Sequence, residues 1–336
     1  MKIGKQTWRF QNDLYINSTG TCAGPMEAKG PLGNYFDKTY KELHCGEKNW
    51  EAAERKLMRE AIDICLKNVK KKPEDIDFFM AGDLLNQTVT SNFIAKETQI
   101  PYLGMFGACS TSMQTLAIGA QFVDSGYAET VLTAVSSHNA TAERQFRYPT
   151  EYGGPKPKTA TFTATGAGAS IISKDPSPIR IKEATIGRVI DWGIGDANDM
   201  GSAMAPAAAD TIERHLMDTG RKPSDYDMIV TGDLSSVGSP IVRQLLWERG
   251  IDVSEVHQDC GLMLYSPEQS VMAGGSGTAC SAMVTYGYIT NLLKKGTVKR
   301  VLVVATGALL NPIIIQQKET IPCVAHGVVL ESAGGV

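Results

Sequence analysis

The sequence lacks the patterns that mark several protein classes. None of its seven cysteines belongs to a C-x-x-C pair, which argues against a zinc ribbon or a thioredoxin-like site. No P-loop occurs, and the glycines of residues 274–277 lack the strand–G-x-G-x-x-G context of a dinucleotide site. The net charge of −3 gives no basic field that would attract nucleic acid. We therefore expect no cofactor, no metal and no nucleic-acid partner.

Long hydrophobic runs are also missing. Residues 1–8 contain no apolar core of a signal peptide. The longest apolar stretch, residues 301–310, includes Thr306 and Gly307 and is too short to cross a bilayer. An odd number of cysteines without a secretory signal indicates reduced thiols in a reducing compartment. We expect a soluble protein that is at most peripheral on a membrane.

The chain carries an internal repeat. Its 336 residues, 43% of them hydrophobic, suffice for two domains or for one duplicated fold. The pattern K-P-x-D-x-D followed by G-D-L occurs at residues 72–84 and again at 222–234. Three further motifs follow in the same order in each half, and their paired ranges are 108–110 with 279–281, 130–135 with 300–305, and 166–172 with 325–330. This order indicates duplication of one structural unit.

Each unit predicts the order strand, helix, strand, helix, strand, strand. Short β-branched runs suit strands that are buried on both faces, and residues 51–68 have the spacing of an amphipathic helix. Pro176 and Pro178 mark the break between the units. We predict an α/β fold with duplicated βαβαββ halves at residues 1–175 and 176–336. The halves would form αβαβα layers around shared central helices.

Cys109 is the first candidate site residue, because a strand-like stretch precedes it and a helical pattern follows it. The positive end of a helix dipole lowers the pKa of a thiol, and N–H groups there can stabilise an oxyanion. The alternative is a buried and inert cysteine, which is common in proteins. The strand–cysteine–helix context favours a role in a pocket.

This arrangement resembles the thiolase superfamily, which includes the β-ketoacyl carrier protein synthases. Members have two such halves, and their nucleophilic cysteine begins the buried helix of the first half, which is the place of Cys109 here. More narrowly, the chain resembles the stage V sporulation protein AD family over its whole length. The residues that carry this narrower resemblance are 83–87, 136–154, 204–210 and 305–310.

The chain departs from the condensing enzymes at two positions. Those relatives place a histidine after the first strand of the second half, and an asparagine or histidine in the glycine-rich turn that follows. Here the two positions read Gly232-Asp233 and Ser276. As an anion, Asp233 would repel a thiolate, and the loss of a general base costs on the order of 10²–10⁴-fold in rate. The resemblance with these departures implies a protein that has lost acyl transfer.

Charged and aromatic residues after a buried strand form a second group of candidates. We expect segment 138–154 to be a loop that brings His138, Arg144, Arg147 and Tyr148 to the pocket. Arginine suits planar carboxylates, although an ordinary solvated loop with salt bridges is the alternative. We also expect His326 on a late loop that faces the pocket, whereas a structural role suits His257 better.

The narrower resemblance implies a function. Family members bind dipicolinic acid and take part in its uptake into the developing spore, together with membrane proteins of the same system. It implies a peripheral location at the cytoplasmic face of the spore inner membrane, and a homodimer is compatible with this. Two alternatives stay open, namely an acyl-transferring enzyme with Cys109 as nucleophile and a ligand-free structural component of a membrane assembly.

The predicted ligand site lies near the pseudo-twofold axis, where the two halves converge. A dianion in such a pocket requires a cation, because an isolated buried carboxylate is very costly. The candidate cations are Arg144, Arg147, a protonated His138 or a metal ion. The predicted site residues are Cys109, Asp83, Asn86, Gln87, His138, Arg144, Arg147, Tyr148, Asp233, Ser276 and His326.

Overall fold

The computed structural model describes residues 1–146 and 155–334. The strands of the first half are β1 (Lys2–Ile3), β2 (Thr7–Ala23), β3 (Lys38–Thr39), β4 (Phe78–Gly82), β5 (Tyr102–Gly104), β6 (Val131–Ser137), β7 (Phe162–Thr163) and β8 (Gly166–Ser173). The helices of this half are α1 (Pro25–Ala28), α2 (Trp50–Asn68), α3 (Val89–Thr98), α4 (Thr111–Ser125) and α5 (Asn139–Phe146).

The second half follows the same plan. Its strands are β9 (Ile179–Thr185), β10 (Met228–Thr231), β11 (His257–Asp259), β12 (Gly275–Ser276), β13 (Arg300–Ala308) and β14 (Cys323–Ser332). Its helices are α6 (Met200–Thr219), α7 (Ser235–Trp247), α8 (Cys260–Met263), α9 (Thr278–Met283), α10 (Thr290–Lys294) and α11 (Pro312–Gln316).

The main sheet shows the duplication directly. The strand order is β5-β4-β6-β8-β2 in the first half and β11-β10-β13-β14-β9 in the second. Each half contributes five strands to this order. If those five are numbered in the order in which they occur along the chain, both halves read 3-2-4-5-1 across the sheet. β2 and β9 pair antiparallel and join the two halves into one sheet. The predicted duplication of the βαβαββ unit is confirmed.

The repeated K-P-x-D-x-D motif makes the same turn in both halves. In the first half, the Lys72 N–H donates to Asp75 at 2.8 Å, and Asp77 accepts from the N–H groups of Glu129 and Thr130 at 2.7 and 2.9 Å. The matching bonds of the second half join Asp225 to Lys222, and Asp227 to Lys299 and Arg300. Each motif closes a helix-to-strand turn and ties it to the start of the strand that lies beside it in the sheet, which explains the repeat in sequence.

Helices α4 and α9 form the central layer. α4 contacts β4 and β6 of its own half, β13 and β14 of the other half, and α9. The hydroxyls of Ser112 and Ser281 join the two central helices at 2.7 Å. α2 and α6 cover outer faces of the sheet, so the predicted αβαβα layering is confirmed. Cys109 precedes α4 by two residues and Cys280 lies in the first turn of α9, as expected.

Two sequence predictions are wrong in this region of the fold. Residues 139–146 form helix α5 instead of a loop, because alanine, glutamate, arginine and glutamine there favour a helix. His326 lies inside strand β14 and not on a late loop. The predicted boundary at residues 175 and 176 falls between β8 and β9, and the independence of the two halves as domains stays a prediction. Among the described residues, no helix is long and apolar enough to cross a membrane.

Candidate functional site

A small, partly open cavity lies at the start of α4, where the two halves meet. Its lining residues are Leu84, Phe106, Ala108, Cys109, Ala142, Phe146, Thr163, Met200, Ser276, Gly277, Ala308 and Leu310. Within residues 1–146 and 155–334, no charged side chain lines it. The cavity is an apolar slot with a thiol and two hydroxyls, and it lies where the sequence predicts the site.

Cys109 forms part of the cavity wall at a sharp turn. The preceding Ala108 has a φ of +49°, a left-handed conformation that is uncommon outside glycine. The thiol is buried, and this burial together with the nearby Asp233 carboxyl raises the pKa of Cys109 well above its ordinary value. The thiolate that the helix dipole suggested is therefore wrong. Burial and the Asp233 carboxyl therefore favour the neutral thiol of Cys109.

Asp233 lies behind Cys109 and is not itself a lining residue. Its carboxyl accepts hydrogen bonds from Thr306 Oγ1 at 2.5 Å, from the Gly277 N–H at 3.0 Å and from the Cys109 thiol. Burial raises the pKa of Asp233 to about 7. A large fraction of molecules therefore carry a protonated Asp233 at neutral pH, and the repulsion expected from a permanent anion is reduced.

Ser276 ends strand β12, which pairs with β7 beside the cavity. Its Oγ accepts a hydrogen bond from Thr161 at 2.9 Å. The next residue, Gly277, has a φ of +100°, and a Cβ there would lie 2.7 Å from Ser137 Oγ. The turn therefore requires glycine at 277 and directs that N–H towards Asp233.

Asp83 does not line the cavity, and its predicted role in the ligand site stays a prediction. Its buried carboxyl accepts from the Leu85 N–H at 3.1 Å, and from the N–H and Oγ of Ser91 at 2.8 and 2.6 Å. These bonds hold the turn that leads into α3. The neighbouring Leu84 is the residue of this turn that reaches the cavity.

Asn86 and Gln87 line a wider and more open outer cleft. This cleft shares Leu84, Phe106 and Phe146 with the inner cavity, so the two spaces are adjacent. Two of the predicted residues thus lie at the mouth of the cavity and not on its inner wall.

His138 is fully buried and points away from the cavity. Its Nε2–H donates to the Leu43 carbonyl at 2.8 Å, and its Nδ1 accepts from the Ala140 N–H at 3.2 Å. Burial lowers the pKa of His138. The predicted protonated imidazole in the ligand site is therefore wrong, since a buried neutral ring needs no counter-charge.

Arg144 also faces away from the cavity. It forms an ion pair with Glu51 of α2, and its guanidinium lies 5.1 Å from the centre of the Trp50 ring. Arg144 therefore does not line the cavity, because its side chain contacts α2, and its role as a carboxylate clamp stays a prediction. Arg147 and Tyr148 lie outside the described residues.

His326 does not line the cavity either, contrary to prediction. Its Nδ1 accepts from the Gly187 N–H at 3.2 Å, and burial lowers the pKa of His326 to about 4. His257 is held between Thr231 and Arg243, in line with a structural role. Among the described residues, no histidine lines the cavity and no group of acids, cysteines and histidines is placed to hold a metal ion.

Sequence reasoning missed most of the apolar wall. Phe106 could have been found, because it stands three residues before Cys109 in the same turn. Ala142 and Phe146 depend on the formation of α5, which the expected loop obscured. Met200 begins α6 in the other half, and nothing in its sequence neighbourhood signals the cavity.

Comparison with known proteins identifies the family. The family model described as Stage V sporulation protein AD (SpoVAD) matches residues 4–331. The chain belongs to the stage V sporulation protein AD family. A curated member, Stage V sporulation protein AD of Bacillus subtilis (strain 168), is 60% identical over 336 residues, which cover 100% of this chain and 99% of that protein.

Solved structures of condensing enzymes share the fold. The cerulenin-bound OleA of Xanthomonas campestris has a TM-score of 0.60 at 13% identity, with 96% of this chain and 97% of that chain covered. The 3-oxoacyl-acyl-carrier-protein synthase III of Aquifex aeolicus VF5 has a TM-score of 0.54 at 14% identity, with 95% and 99% covered. The human mitochondrial 3-ketoacyl-CoA thiolase in complex with CoA has a TM-score of 0.59 at 13% identity, with 97% and 99% covered. These similarities confirm the thiolase-like fold.

Proposed function

We propose that this sporulation protein binds dipicolinate in the cavity beside Cys109 and performs no acyl transfer. The observation that carries the proposal is the environment of Cys109. In a cavity of the condensing-enzyme fold, the thiol faces the buried carboxyl of Asp233 in place of an imidazole. The family supports the sporulation role, and the cavity supports binding of a small flat ligand.

Absence of acyl transfer follows from the acid–base balance at Cys109. A condensing cysteine reacts as a thiolate, which is usually stabilised by a nearby imidazolium. Here the pKa of Cys109 is raised well above its ordinary value, whereas the pKa of Asp233 is about 7. Proton transfer from thiol to carboxylate is therefore uphill, and the thiolate would have no cationic partner.

Dipicolinate suits the remaining features of the cavity. The ligand is a flat aromatic ring with two carboxylates, and Phe106 and Phe146 give the cavity an apolar wall. The N-terminus of the 15-residue helix α4 favours an anion, and the partly protonated Asp233 opposes it less than a permanent anion would. The hydroxyls of Thr163 and Ser276 are available to orient a carboxylate.

Calorimetry with dipicolinate tests this proposal. Ala142→Leu places a larger side chain in the cavity and should weaken binding about 5- to 160-fold, since overpacking typically costs about 1–3 kcal/mol. Ala140→Leu is the matched control, because Ala140 lies on the same helix but does not line the cavity. Pyridine monocarboxylates should bind more weakly than dipicolinate. Equal binding by both variants, or no binding by the wild type, would contradict this site.

Acyl transfer is tested separately by incubation with acyl-coenzyme A and mass spectrometry of the Cys109 peptide. We expect no acylation on the timescale of enzyme turnover, which is on the order of 1 s⁻¹ or faster. Rapid acylation would favour the acyl-transferring alternative. Absence of ligand binding together with intact assembly would favour the structural one.

The proposal includes a place of action. The protein would act at the cytoplasmic face of the spore inner membrane, next to the membrane proteins of the dipicolinate uptake system. Membrane fractionation of sporulating cells tests this, because the protein should leave the membrane fraction when those membrane proteins are deleted. A homodimer stays a prediction that sedimentation can test.

A further inference from the structure

The polar side of the cavity belongs to a short ribbon that is separate from the main sheet. Strands β7 and β12 pair with each other over two residues and form a two-stranded sheet of their own. Thr163 of β7, Ser276 of β12 and the following Gly277 line the cavity. An isolated two-stranded ribbon is only marginally stable, so the position of these residues depends on contacts with the surrounding structure.

Glu27 of helix α1 holds the first strand of this ribbon. The side chain of Glu27 is fully buried and does not line the cavity. Its Oε1 accepts a hydrogen bond at 3.0 Å from the N–H of Thr165, which stands two residues after Thr163. The Gly24 N–H donates to the Thr165 carbonyl at 2.7 Å, and a Cβ at Gly24 would lie 2.8 Å from Glu27 Oε2. The start of α1 therefore binds both backbone groups of Thr165.

Tyr265 connects the same carboxyl to both strands. Its hydroxyl donates to Glu27 Oε1. Its ring meets Phe162 of β7 edge to face, with 5.7 Å between the ring centres. The ring also packs against Gly275 of β12, where a Cβ would lie 2.9 Å from Tyr265 Cε2. One buried carboxyl thus fixes a tyrosine that contacts the two strands of the ribbon.

Ser276 is oriented to donate a hydrogen bond into the cavity. Its Oγ is almost fully buried and accepts from Thr161 Oγ1 at 2.9 Å. A hydroxyl carries one O–H donor besides its acceptor lone pairs, so the proton of Ser276 remains for an acceptor such as a carboxylate oxygen. Such a bond is directional, and its strength depends on how firmly the ribbon is held.

We propose that Glu27 is a positioning residue for the polar side of the cavity, and that it acts on the β7–β12 ribbon through Thr165 and Tyr265. The part of this inference that concerns the ligand rests on the proposed function. In that function the hydroxyls of Thr163 and Ser276 orient one carboxylate of dipicolinate. Loss of the Glu27 contacts therefore loosens the ribbon and lowers the preference of the cavity for a dicarboxylate over a monocarboxylate.

Hydrogen exchange measured by mass spectrometry tests the positioning role without any ligand. Peptides that cover residues 160–165 and 274–278 should exchange about tenfold faster in Tyr265→Phe, which removes one buried hydrogen bond. They should exchange faster still in Glu27→Met, which removes both acceptor oxygens at similar size. Glu27→Gln keeps an acceptor oxygen and should stay within about threefold of the wild type. Tyr226→Phe is the matched control, because the hydroxyl of this similarly buried tyrosine is bonded to His215 instead of Glu27.

Calorimetry with dipicolinate and pyridine-2-carboxylate tests the link to the ligand. The ratio of the two affinities should fall about tenfold in Tyr265→Phe and should be kept in Glu27→Gln and Tyr226→Phe. A general loss of stability would weaken both ligands equally and leave this ratio unchanged. Wild-type exchange of the ribbon in Tyr265→Phe, or an unchanged ratio of affinities, would overturn the inference. Faster exchange of the ribbon together with no dipicolinate binding by the wild type would instead contradict the proposed function alone.

Discussion

The sequence Gly-Asp-Leu occurs at the end of the second strand of each half and in the turn that follows, yet the two aspartates have different roles. Asp83 accepts hydrogen bonds from Leu85 and Ser91 of its own turn. Asp233 instead bridges Gly277 and Thr306 of two other segments and contacts Cys109. The first half therefore gives the cavity its thiol and most of its apolar wall, whereas the second half places a carboxyl with a raised pKa behind that thiol.

Asp259 explains this difference. It ends β11, and its carboxylate accepts from the N–H groups of Leu234 and Ser235, both at 2.9 Å, and from Thr231 Oγ1 at 2.7 Å. The turn into α7 is thus held by a residue of the neighbouring strand, which frees Asp233 to face Cys109. Duplication copies the strand order, but one acid on an adjacent strand changes the role of its neighbour.

The first prediction tests whether Asp259 holds the turn that leads into α7. Asp259→Ala leaves several buried donors without a partner and should lower the free energy of unfolding by about 3–5 kcal/mol. Asp83→Ala should have a similar effect in the first half. Asp252→Ala, at an exposed turn, is the control and should change stability by less than about 0.5 kcal/mol. Chemical denaturation measures all three, and a small loss for Asp259→Ala alone would contradict the assignment.

The unusual pKa of Asp233 should appear in the pH dependence of stability. The pKa is about 7 in the folded protein and about 4 in an unfolded chain, so the folded state binds an extra proton between these values. This contribution is fully present below about pH 4 and is lost as the pH rises through 7. Between pH 5.5 and pH 8, Asp233→Asn should remove about 2 kcal/mol of pH-dependent stability relative to the wild type. Parallel stability curves would mean that Asp233 is an ordinary anion.

The alkylation rate of Cys109 reports the effect of Asp233 on the thiol. Asp233 raises the pKa of Cys109, so Asp233→Asn should lower this pKa and speed alkylation of Cys109 about tenfold near pH 8. Asp259→Asn is the control, because Asp259 raises the pKa of Cys260 instead. Mass spectrometry of the Cys109 peptide after timed treatment with iodoacetamide measures the rate. An unchanged rate in Asp233→Asn would show that burial alone controls the thiol.

Local sequence signals predict the frame of this molecule but not the directions of its side chains. The K-P-x-D-x-D repeat and the buried β-branched runs act locally, so they predict the duplication and the order of helices and strands along the chain. Cys109 is placed correctly because a strand and a helix flank it in sequence. The positions of His138 and Arg144 depend on Leu43 and Glu51, which are distant in sequence. Asp83 and Asp233 have the same neighbours in sequence, so only the tertiary structure separates their roles.

The smallest expected effect concerns Arg144, the cation closest in sequence to the cavity wall among the described residues. Its ion pair with Glu51 and its contact with Trp50 lie on α2, outside the cavity, and more than a third of the Arg144 side chain is exposed. Arg144→Ala should therefore cost less than about 1 kcal/mol of stability, because exposed ion pairs contribute little. The dipicolinate affinity of Arg144→Ala should stay within about twofold of the wild type, whereas loss of a true carboxylate clamp costs about 2–5 kcal/mol of binding.

Calorimetry on Arg147→Ala beside Arg144→Ala separates the contributions of the two arginines to dipicolinate binding. If Arg144→Ala weakened binding tenfold or more, the charge of Arg144 would have to act in the cavity, and its assignment to the ion pair on α2 would be wrong.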